Sequence, residues 1–307
     1  MKKIILYILF LQLPAAVFAC DICGCGVGSY YLGILPDFHK RFLGIRYQHK
    51  SLLTHLGSNG EATYLTTKET YSIAELWGGW NIGTKFRVLA FAPVNFNTRE
   101  NRGQATHKSG VGDLAFMGYY NIFTRHRGTA NGKMLAHSLW AGLGIKIPTG
   151  TYSNTDKNVT EGVQNTFQLG TGSVDYTMQA AYDIRLQDAG INTNINYKWN
   201  SANRYDYRYG NKFTVNTLAY YKFRLPNNIA VAPNAGILYE AAAKDVKQQG
   251  IGVDISGGHS LALAGGCEIN FKRFAAGAGW QHPVQQRLAN GSVSANDRIF
   301  VHLSFNL

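Results

Sequence analysis

Apolar and polar residues alternate along most of the chain beyond residue 40. In the segment 191–199, the odd positions carry Ile, Thr, Ile, Tyr and Trp, and the even positions carry Asn, Asn, Asn and Lys. The segments 174–185 and 212–225 show the same period of two. This alternation is typical of β-strands whose two faces meet different environments.

The alternating segments are long and numerous. They cover the ranges 41–50, 70–82, 85–97, 111–124, 135–147, 172–186, 190–200, 212–225, 228–239, 259–271, 273–283 and 297–307. A tilted strand needs roughly 9–11 residues to cross a bilayer, whereas strands of soluble sandwiches have a mode of about 5–6 residues. We therefore predict an all-β fold, a transmembrane antiparallel up-and-down β-barrel of about 12 strands, with about 10 or about 14 as the alternative counts.

The connections between these segments alternate in length. Tight links at 83–84, 187–189, 226–227 and 272 alternate with long polar links at 51–69, 98–110, 148–171, 201–211, 240–258 and 284–296. The link at 125–134 is the exception, because it is long where a short one is expected. Short periplasmic turns and long external loops are typical of bacterial barrels. An even strand count would place both chain ends in the periplasm.

The chain ends inside an alternating segment. Apolar residues occupy every second position from Ile299 to Leu307, so the last strand is predicted to close the barrel against the first. Such a terminal strand resembles the signal that the barrel-assembly machinery reads, although it ends in Leu307 rather than in an aromatic residue. We therefore expect that machinery and outer-membrane lipid as partners.

Residues 1–19 have the pattern of a secretory signal peptide. Two lysines precede a short apolar stretch at 4–13, and small or apolar residues lead up to position 19. The stretch is shorter than the roughly 20 residues of a membrane-spanning helix, although an uncleaved anchor helix is the alternative. The predicted organisation is a signal peptide at 1–19, a cysteine-containing periplasmic segment at 20–40 and a bacterial outer-membrane barrel at 41–307.

Three cysteines follow the predicted cleavage site. Cys20, Cys23 and Cys25, with His39 as a fourth ligand, could bind Zn or Cu(I), since thiolates suit soft metals. A segment that binds metal in this way would form a plug beneath the pore. Two other fates remain open: a Cys20–Cys23 or Cys20–Cys25 disulfide in the oxidising envelope, or lipidation of Cys20, since the four residues ending there partly resemble a lipoprotein box. The fold itself requires no cofactor.

Composition supports a barrel and restricts the partners. Glycine (34), tyrosine (18) and phenylalanine (16) are abundant, and the mean hydropathy is −0.16 although 45% of residues are hydrophobic. Apolar residues are therefore interspersed with polar ones, as in alternating strands. The formal charge is +12 at pH 7. In an exported chain this charge meets lipid headgroups and anionic solutes, so we expect no nucleic acid as a partner.

Three glycine-containing motifs resemble those of a known outer-membrane family. They are Gly112-Asp113-Leu114, the run GLGIKIPTG that ends at Gly150, and the run GTGSVD that begins at Gly170. These motifs resemble, over roughly residues 75–307, the family named for the MetA pathway of phenol degradation, whose members are often labelled as transporters. The resemblance implies a monomeric outer-membrane barrel with a role in solute uptake, and it fixes no substrate.

The polar faces of the predicted strands would line the lumen. They carry nine basic and five acidic residues: Arg46, Lys85, Arg87, Lys146, Arg185, Lys198, Lys222, Arg224, Lys272, Glu75, Asp113, Asp175, Asp183 and Glu268. The basic surplus predicts a hydrated, weakly anion-preferring interior, unless these charges pair across the lumen and fill it. A barrel of about eight strands is packed and one of about sixteen holds a channel, so twelve strands leave both interpretations open.

Few apolar positions share the predicted inner faces. They are Leu89, Phe91, Met117, Trp140, Leu218 and Tyr220. Because so few apolar residues are predicted to line the lumen, we do not expect an exclusively hydrophobic solute. This weakens the interpretation that the solute is phenol itself, as the family's name would suggest.

Passive uptake of small solutes is the function that these features favour. The alternative is a non-transporting envelope barrel, metal-binding or lipid-anchored, whose lumen is closed. An enzyme is not expected, because the histidines are scattered and the sequence contains no Gly-x-Ser-x-Gly nucleophile motif.

Overall fold

The computed structural model describes residues 41–57, 60–129, 132–153, 167–247 and 250–307. The predicted signal peptide and the segment 20–40, with Cys20, Cys23, Cys25 and His39, lie outside these residues. No helix in the described part of the chain is long and apolar enough to cross a membrane.

The regular structure of the described residues is almost entirely strand. The strands are β1 (Phe42–Thr54), β2 (Thr67–Ile82), β3 (Phe86–Asn101), β4 (Gln104–Val111), β5 (Leu114–Gly128), β6 (Met134–Ile147), β7 (Asp175–Leu186), β8 (Ala189–Asn200), β9 (Tyr207–Arg208), β10 (Lys212–Tyr221), β11 (Phe223–Leu225), β12 (Ile229–Ala242), β13 (Val246–Lys247), β14 (Ile251–Gly252), β15 (Gly258–Phe271), β16 (Phe274–Leu288) and β17 (Val293–Asn306). Two short 3₁₀ turns, Pro226–Asn228 and Ala289–Gly291, connect strands.

Most of the strands form one closed antiparallel sheet. Around the wall the order is β10, β8, β7, β6, β5, β3, β2, β1, β17, β16, β15 and β12, and β12 returns to pair with β10. β4 continues the line of β5 along β3, and β11 continues the line of β10 along β12. The wall therefore has twelve strands, and the predicted antiparallel up-and-down barrel is confirmed. The short β9, β13 and β14 form a separate small sheet.

The two faces of the wall differ as the alternation predicts. Along β17, Ile299, Val301 and Leu303 are exposed on the outer face, whereas Phe300 and His302 are buried on the inner face. The same division holds along β7, β8 and β10. An apolar outer face and a largely polar inner face suit a wall between lipid and a lumen.

Two connections predicted as long loops are largely strand. The prediction for 98–110 is wrong, because β3 and β4 continue as a hairpin to a tight turn at 102–103. The prediction for 284–296 is wrong in the same way, since β16 and β17 extend to the turn Ala289–Gly291. Both extensions lie beyond the apolar band, where the alternation that reveals a strand is lost. The link at 125–134 is also shorter than expected, because β5 and β6 extend into it.

The wall strand formed by β4 and β5 is interrupted at Gly112 and Asp113. Pro93 on β3 faces this interruption, and its carbonyl oxygen accepts a hydrogen bond from the Gly112 amide at 2.8 Å. Proline has no amide hydrogen to donate to the neighbouring strand, so the ladder cannot continue through this point. The interruption leaves the Asp113 side chain buried, at a position from which it reaches other segments.

Aromatic side chains of the inner face lie over glycines of neighbouring strands. Tyr119 covers Gly142, and a Cβ atom at position 142 would lie 2.7 Å from the Tyr119 Cε1 atom. Phe42 covers Gly79 in the same way. Because these glycines have no side chain, the rings can lie against the wall instead of projecting across the lumen.

Gly142→Ala is expected to destabilise the barrel by about 1–3 kcal/mol, the usual cost of overpacking. Tyr119 is buried and its hydroxyl donates to Gln179 Oε1 at 2.7 Å, so the ring cannot move aside without disturbing that bond. Gly118→Ala on the same pair of strands is the control, because its Cβ would lie 3.9 Å from the nearest atom. Urea unfolding in lipid vesicles measures the difference, and equal stability of the two variants would contradict this account.

Candidate functional site: the barrel interior

One side of the interior is lined by an apolar cluster, which we call the aromatic wall. It consists of inner-face residues of β1, β2, β3, β5, β6 and β7, namely Phe42, Trp77, Leu89, Phe91, Ala115, Met117, Tyr119, Trp140 and Ala181. Trp77 contacts Phe42 edge to face at 4.5 Å and stacks on Phe91 at 6.4 Å between ring centroids. The wall contains four of the six predicted apolar inner positions and adds aromatic residues that the sequence analysis did not assign to the interior.

Further round the interior, amide and hydroxyl side chains form what we call the polar wall. Its inner-face residues on β7, β8 and β10 are Thr177, Gln179, Asn192, Asn194, Asn196, Thr214 and Asn216. Gln179 Nε2 donates to Asn194 Oδ1 at 3.3 Å, and Asn194 Nδ2 donates to Asn192 Oδ1 at 2.6 Å. Such uncharged groups offer both donors and acceptors, so they can hold water or a polar part of a solute.

The predicted charged residues include one compact buried cluster at the end of the interior that carries the long connections, which the sequence predicts to be the extracellular end. Lys146 Nζ lies 2.6 Å from Asp113 and 2.8 Å from Asp175, and Lys198 Nζ lies 3.3 Å from Asp175. All four side chains are buried. Their two positive and two negative charges balance, which offsets the cost of removing each charge from water.

Other inner charges are paired in smaller groups. These are Lys212 and Arg298 with Glu240 at 2.8 and 3.1 Å, Arg99 with Glu69 at 2.8 Å, and Arg46 with Glu75. His302 Nε2 lies at hydrogen-bond distance, 3.0 Å, from Glu268 Oε1. Several carboxylates thus have a nearby cation, so much of the inner charge is internally compensated.

The loop between β6 and β7 is tied to the barrel by Asp113, in a set of contacts that we call the loop latch. The Asp113 carboxylate accepts hydrogen bonds from the backbone amides of Gly150 at 3.0 Å and Thr171 at 2.9 Å, one in each arm of the loop. The Thr149 hydroxyl donates to the Gly112 carbonyl oxygen at 2.8 Å. The three glycine-containing motifs singled out in the sequence therefore meet at one buried carboxylate.

The returning arm of this loop packs against the inner face of β3. Asn95 Nδ2 donates to the Leu169 carbonyl oxygen at 2.7 Å, and Asn97 Nδ2 donates to the Gln168 carbonyl oxygen at 3.0 Å. The side chains of Leu169 and Gln168 are buried. The arm 167–171 therefore occupies part of the extracellular half of the interior.

A second buried carboxylate joins two other extracellular connections. Asp245, which follows β12, accepts a hydrogen bond at 2.8 Å from the amide of Gly210, which lies between β9 and β10. The Tyr207 hydroxyl also donates to Asp245. Asn203 links this group to the loop latch, because its Nδ2 donates to the Thr171 carbonyl oxygen at 3.1 Å. Three extracellular connections are thus bonded to one another.

The predicted lumen residues fall into three groups in the structure. Buried residues are Glu75, Arg87, Asp113, Lys146, Asp175, Lys198 and Glu268. Partly buried residues are Arg46, Asp183, Arg185 and Lys222. Exposed residues at the periplasmic turns or strand ends are Lys85, Arg224 and Lys272. The structure therefore brings together the cluster around Lys146 and does not gather the remaining residues at a single centre.

Seven charged or histidine side chains of the inner face were not predicted from the sequence. They are Lys50, Glu69, Arg99, Lys212, Glu240, Arg298 and His302. Each shares the face of other buried residues on its strand, so a stricter use of the two-residue period would have found them. Glu69, Arg99 and Glu240 lie just beyond the predicted strand ranges, whereas Lys50, Lys212, Arg298 and His302 lie within them.

The described part of the chain contains no candidate metal site. No group of three or more His, Cys, Asp or Glu side chains there is placed to hold a metal ion. The predicted ligands Cys20, Cys23, Cys25 and His39 lie outside that part, so a Zn or Cu(I) site at the N-terminal cysteines stays a prediction.

Asp113→Asn is expected to destabilise the barrel by about 3 kcal/mol, because it weakens a buried ion pair with Lys146 and the latch around it. Adding Lys146→Met should recover part of the loss, with a coupling energy of about 1–3 kcal/mol. Thermal unfolding followed by circular dichroism measures these changes.

Asp254→Asn is the matched control for Asp113→Asn. The Asp254 carboxylate is exposed, and its ion pair with Lys244 should contribute under about 1 kcal/mol. An Asp113→Asn barrel as stable as this control would show that the latch is not a stabilising contact.

Comparison with known proteins identifies the family of the chain and solved structures with a similar fold. The family described as the putative MetA-pathway of phenol degradation matches residues 47–296. The fold is similar to that of an outer-membrane channel from Pseudomonas putida F1, with a TM-score of 0.65, 14% identity, and coverage of 92% of this chain and 100% of that chain. The β-domain of the Bordetella autotransporter Brka is less similar, with a TM-score of 0.49, 10% identity, and coverage of 87% and 100%. A search of curated proteins found no match. At these identities the structural similarity concerns the fold alone.

Proposed function

The chain belongs to the family described as the putative MetA-pathway of phenol degradation, and from this premise we propose that it is a channel for passive uptake of small solutes. As a member of that family with a closed twelve-stranded barrel, it is a bacterial outer-membrane protein surrounded by lipid rather than an enzyme.

The observation that carries the proposal is the division of the interior into two walls. The aromatic wall offers flat apolar surfaces, and the polar wall offers amide and hydroxyl groups. A small organic solute with a planar apolar part and one or two polar groups matches both surfaces. The apolar side of the interior is larger than the six positions predicted from the sequence. A solute with an aromatic part therefore fits the interior better than the sequence alone suggested.

A weak anion preference remains part of the proposal. In the extracellular half, the cluster of Lys146 and Lys198 is balanced by two carboxylates. Near the periplasmic end, Arg185 and Lys222 are partly buried, and Asp183 is the acidic residue nearest to them along the inner faces. The surplus of positive charge is therefore expected at that mouth, where it would favour anions modestly.

A closed barrel is the second candidate, and a specific observation favours it. Most of the aromatic wall and the ion-paired residues are buried, and the arm 167–171 packs against the inner face of β3. An interior filled in this way would conduct no ions. Electrical measurement separates the two candidates directly.

Purified mature chain in planar bilayers is expected to give discrete current steps and a chloride-to-potassium permeability ratio above one. Replacing both Arg185 and Lys222 with glutamine should bring that ratio towards one, because the surplus of positive charge at the mouth is removed. Replacing Arg102 and Arg204, two exposed extracellular residues, is the control with the same loss of charge. A correctly folded barrel that passes no current would overturn the channel proposal in favour of the closed barrel.

Trp77→Ala is expected to lower the permeability of benzoate relative to chloride by about three- to tenfold, since aromatic ring contacts contribute about 0.5–1.5 kcal/mol. Reversal potentials between sodium benzoate and sodium chloride measure that ratio. Trp80→Ala is the matched control, because Trp80 lies on the same strand with its side chain 51% exposed outside, whereas Trp77 is 4% exposed inside. An unchanged ratio in Trp77→Ala would mean that solutes do not pass along the aromatic wall.

A further inference from the structure

The periplasmic end of the barrel carries a ring of exposed basic residues, which we call the basic perimeter. This end is identified by the short turns and by the first and last strands of the wall, which begin and end there. The perimeter comprises Arg41, Lys85, Arg125, Arg127, Lys133, Arg224, Lys272 and Arg273. Among the described residues of these turns and strand ends, the acidic residue outside the lumen is Asp188, and it pairs with Arg224 at 2.8 Å.

The extracellular end does not share this charge. Its exposed charged residues in the described part of the chain are five basic and four acidic ones: Lys68, Arg102, Arg204, Lys244, Arg287, Glu61, Glu100, Asp206 and Asp254. In the described residues, the two ends therefore differ strongly in net charge. If the excess of basic residues were spread over the whole chain, both ends would be positively charged. The positive charge is instead concentrated in the basic perimeter.

Two perimeter side chains lie against aromatic rings of the outer surface. The Arg41 guanidinium lies 4.2 Å from the centroid of the Trp80 ring, and Lys272 Nζ lies 5.1 Å from that of Phe271. Both rings are exposed on the wall. Since outward aromatic residues mark the level where lipid meets water, these contacts hold the cations at the depth of the headgroups.

A β-bulge places two further arginines on the outer surface. The pairing of β5 with β6 shifts register between Asn121 and Phe123. Asn121 is buried on the inner face, but after the shift Phe123, Arg125 and Arg127 share the opposite face. A one-residue shift exchanges the two faces of a strand. The bulge therefore directs Arg125 and Arg127 away from the lumen and towards the surrounding lipid.

We propose that the basic perimeter binds the phosphate groups of anionic phospholipids in the inner leaflet of the outer membrane. Its residues come from the position before β1, from β5 and β11, and from the β2–β3, β5–β6 and β15–β16 turns, so they are distributed around the circumference. A bilayer surrounds the barrel and meets the outward-facing members of this ring on several sides at once, whereas an acidic protein would contact one side. Juxtamembrane basic clusters attract anionic lipids by the same electrostatics.

Brominated lipids test the proposal in the intact, refolded chain. Dibrominated phosphatidylglycerol quenches tryptophan fluorescence where it touches the barrel, and dibrominated phosphatidylcholine gives the reference in vesicles of the same composition. The wild type is expected to bind phosphatidylglycerol several-fold more strongly than phosphatidylcholine, and the preference should disappear at high salt. The variant Arg125→Gln, Arg127→Gln, Lys272→Gln, Arg273→Gln should lose most of the preference.

The control variant removes the same charge from the extracellular end, through Lys68→Gln, Arg102→Gln, Lys244→Gln and Arg287→Gln. It should retain the preference of the wild type. Heat-modifiable migration on gels confirms that both variants are folded, and the assay has no transport readout, so it is independent of the channel proposal. A wild type without preference, or an equal loss in both variants, would overturn the proposal and leave an acidic periplasmic protein as the partner to seek.

Discussion

Within a bilayer no water is available to hydrogen-bond the backbone, so every amide and carbonyl group of a spanning strand must find a partner in the wall. The wall meets this constraint by closing: β1 pairs with β17 from Phe42 to Thr54, and β10 pairs with β12. Closure also fixes which face of every strand points outward, because the side chains alternate. The apolar exterior, the polar interior and the ion pairs inside all depend on that one requirement.

The same requirement explains what could be predicted from the sequence. Strands such as β8 and β17 have one face in lipid, so their alternation is strong and their positions follow from the residues alone. The hairpin of β3 and β4 extends beyond the apolar band, where neither face needs to be apolar, and it was therefore predicted as a loop. Glu69 and Glu240 lie in such regions too. They fall outside the predicted strands and were therefore not assigned to the lumen.

The interior was less predictable because its contacts join distant parts of the chain. Asp113 bonds to residues 37 and 58 positions away along the chain, and nothing local indicates that pairing. The aromatic wall was underestimated for a different reason. Phe42, Trp77 and Tyr119 belong to residue types expected in an outer girdle, yet they are buried inside. Glycine opposite Tyr119 makes this arrangement possible, since a side chain at Gly142 would occupy the place of the ring.

The loop latch gives a physical meaning to the motifs on which the family resemblance depends. Pro93 breaks the ladder, the break frees Asp113 from the wall, and Asp113 then holds both arms of the loop through Gly150 and Thr171. Breaking a buried ion pair of the kind that joins Asp113 to Lys146 costs about 3–5 kcal/mol. Displacing the arm 167–171 would disturb that pair and the hydrogen bonds from Asn95 and Asn97 together. The arm 167–171 is therefore held as a part of the interior, and in the proposed channel a solute would pass beside it.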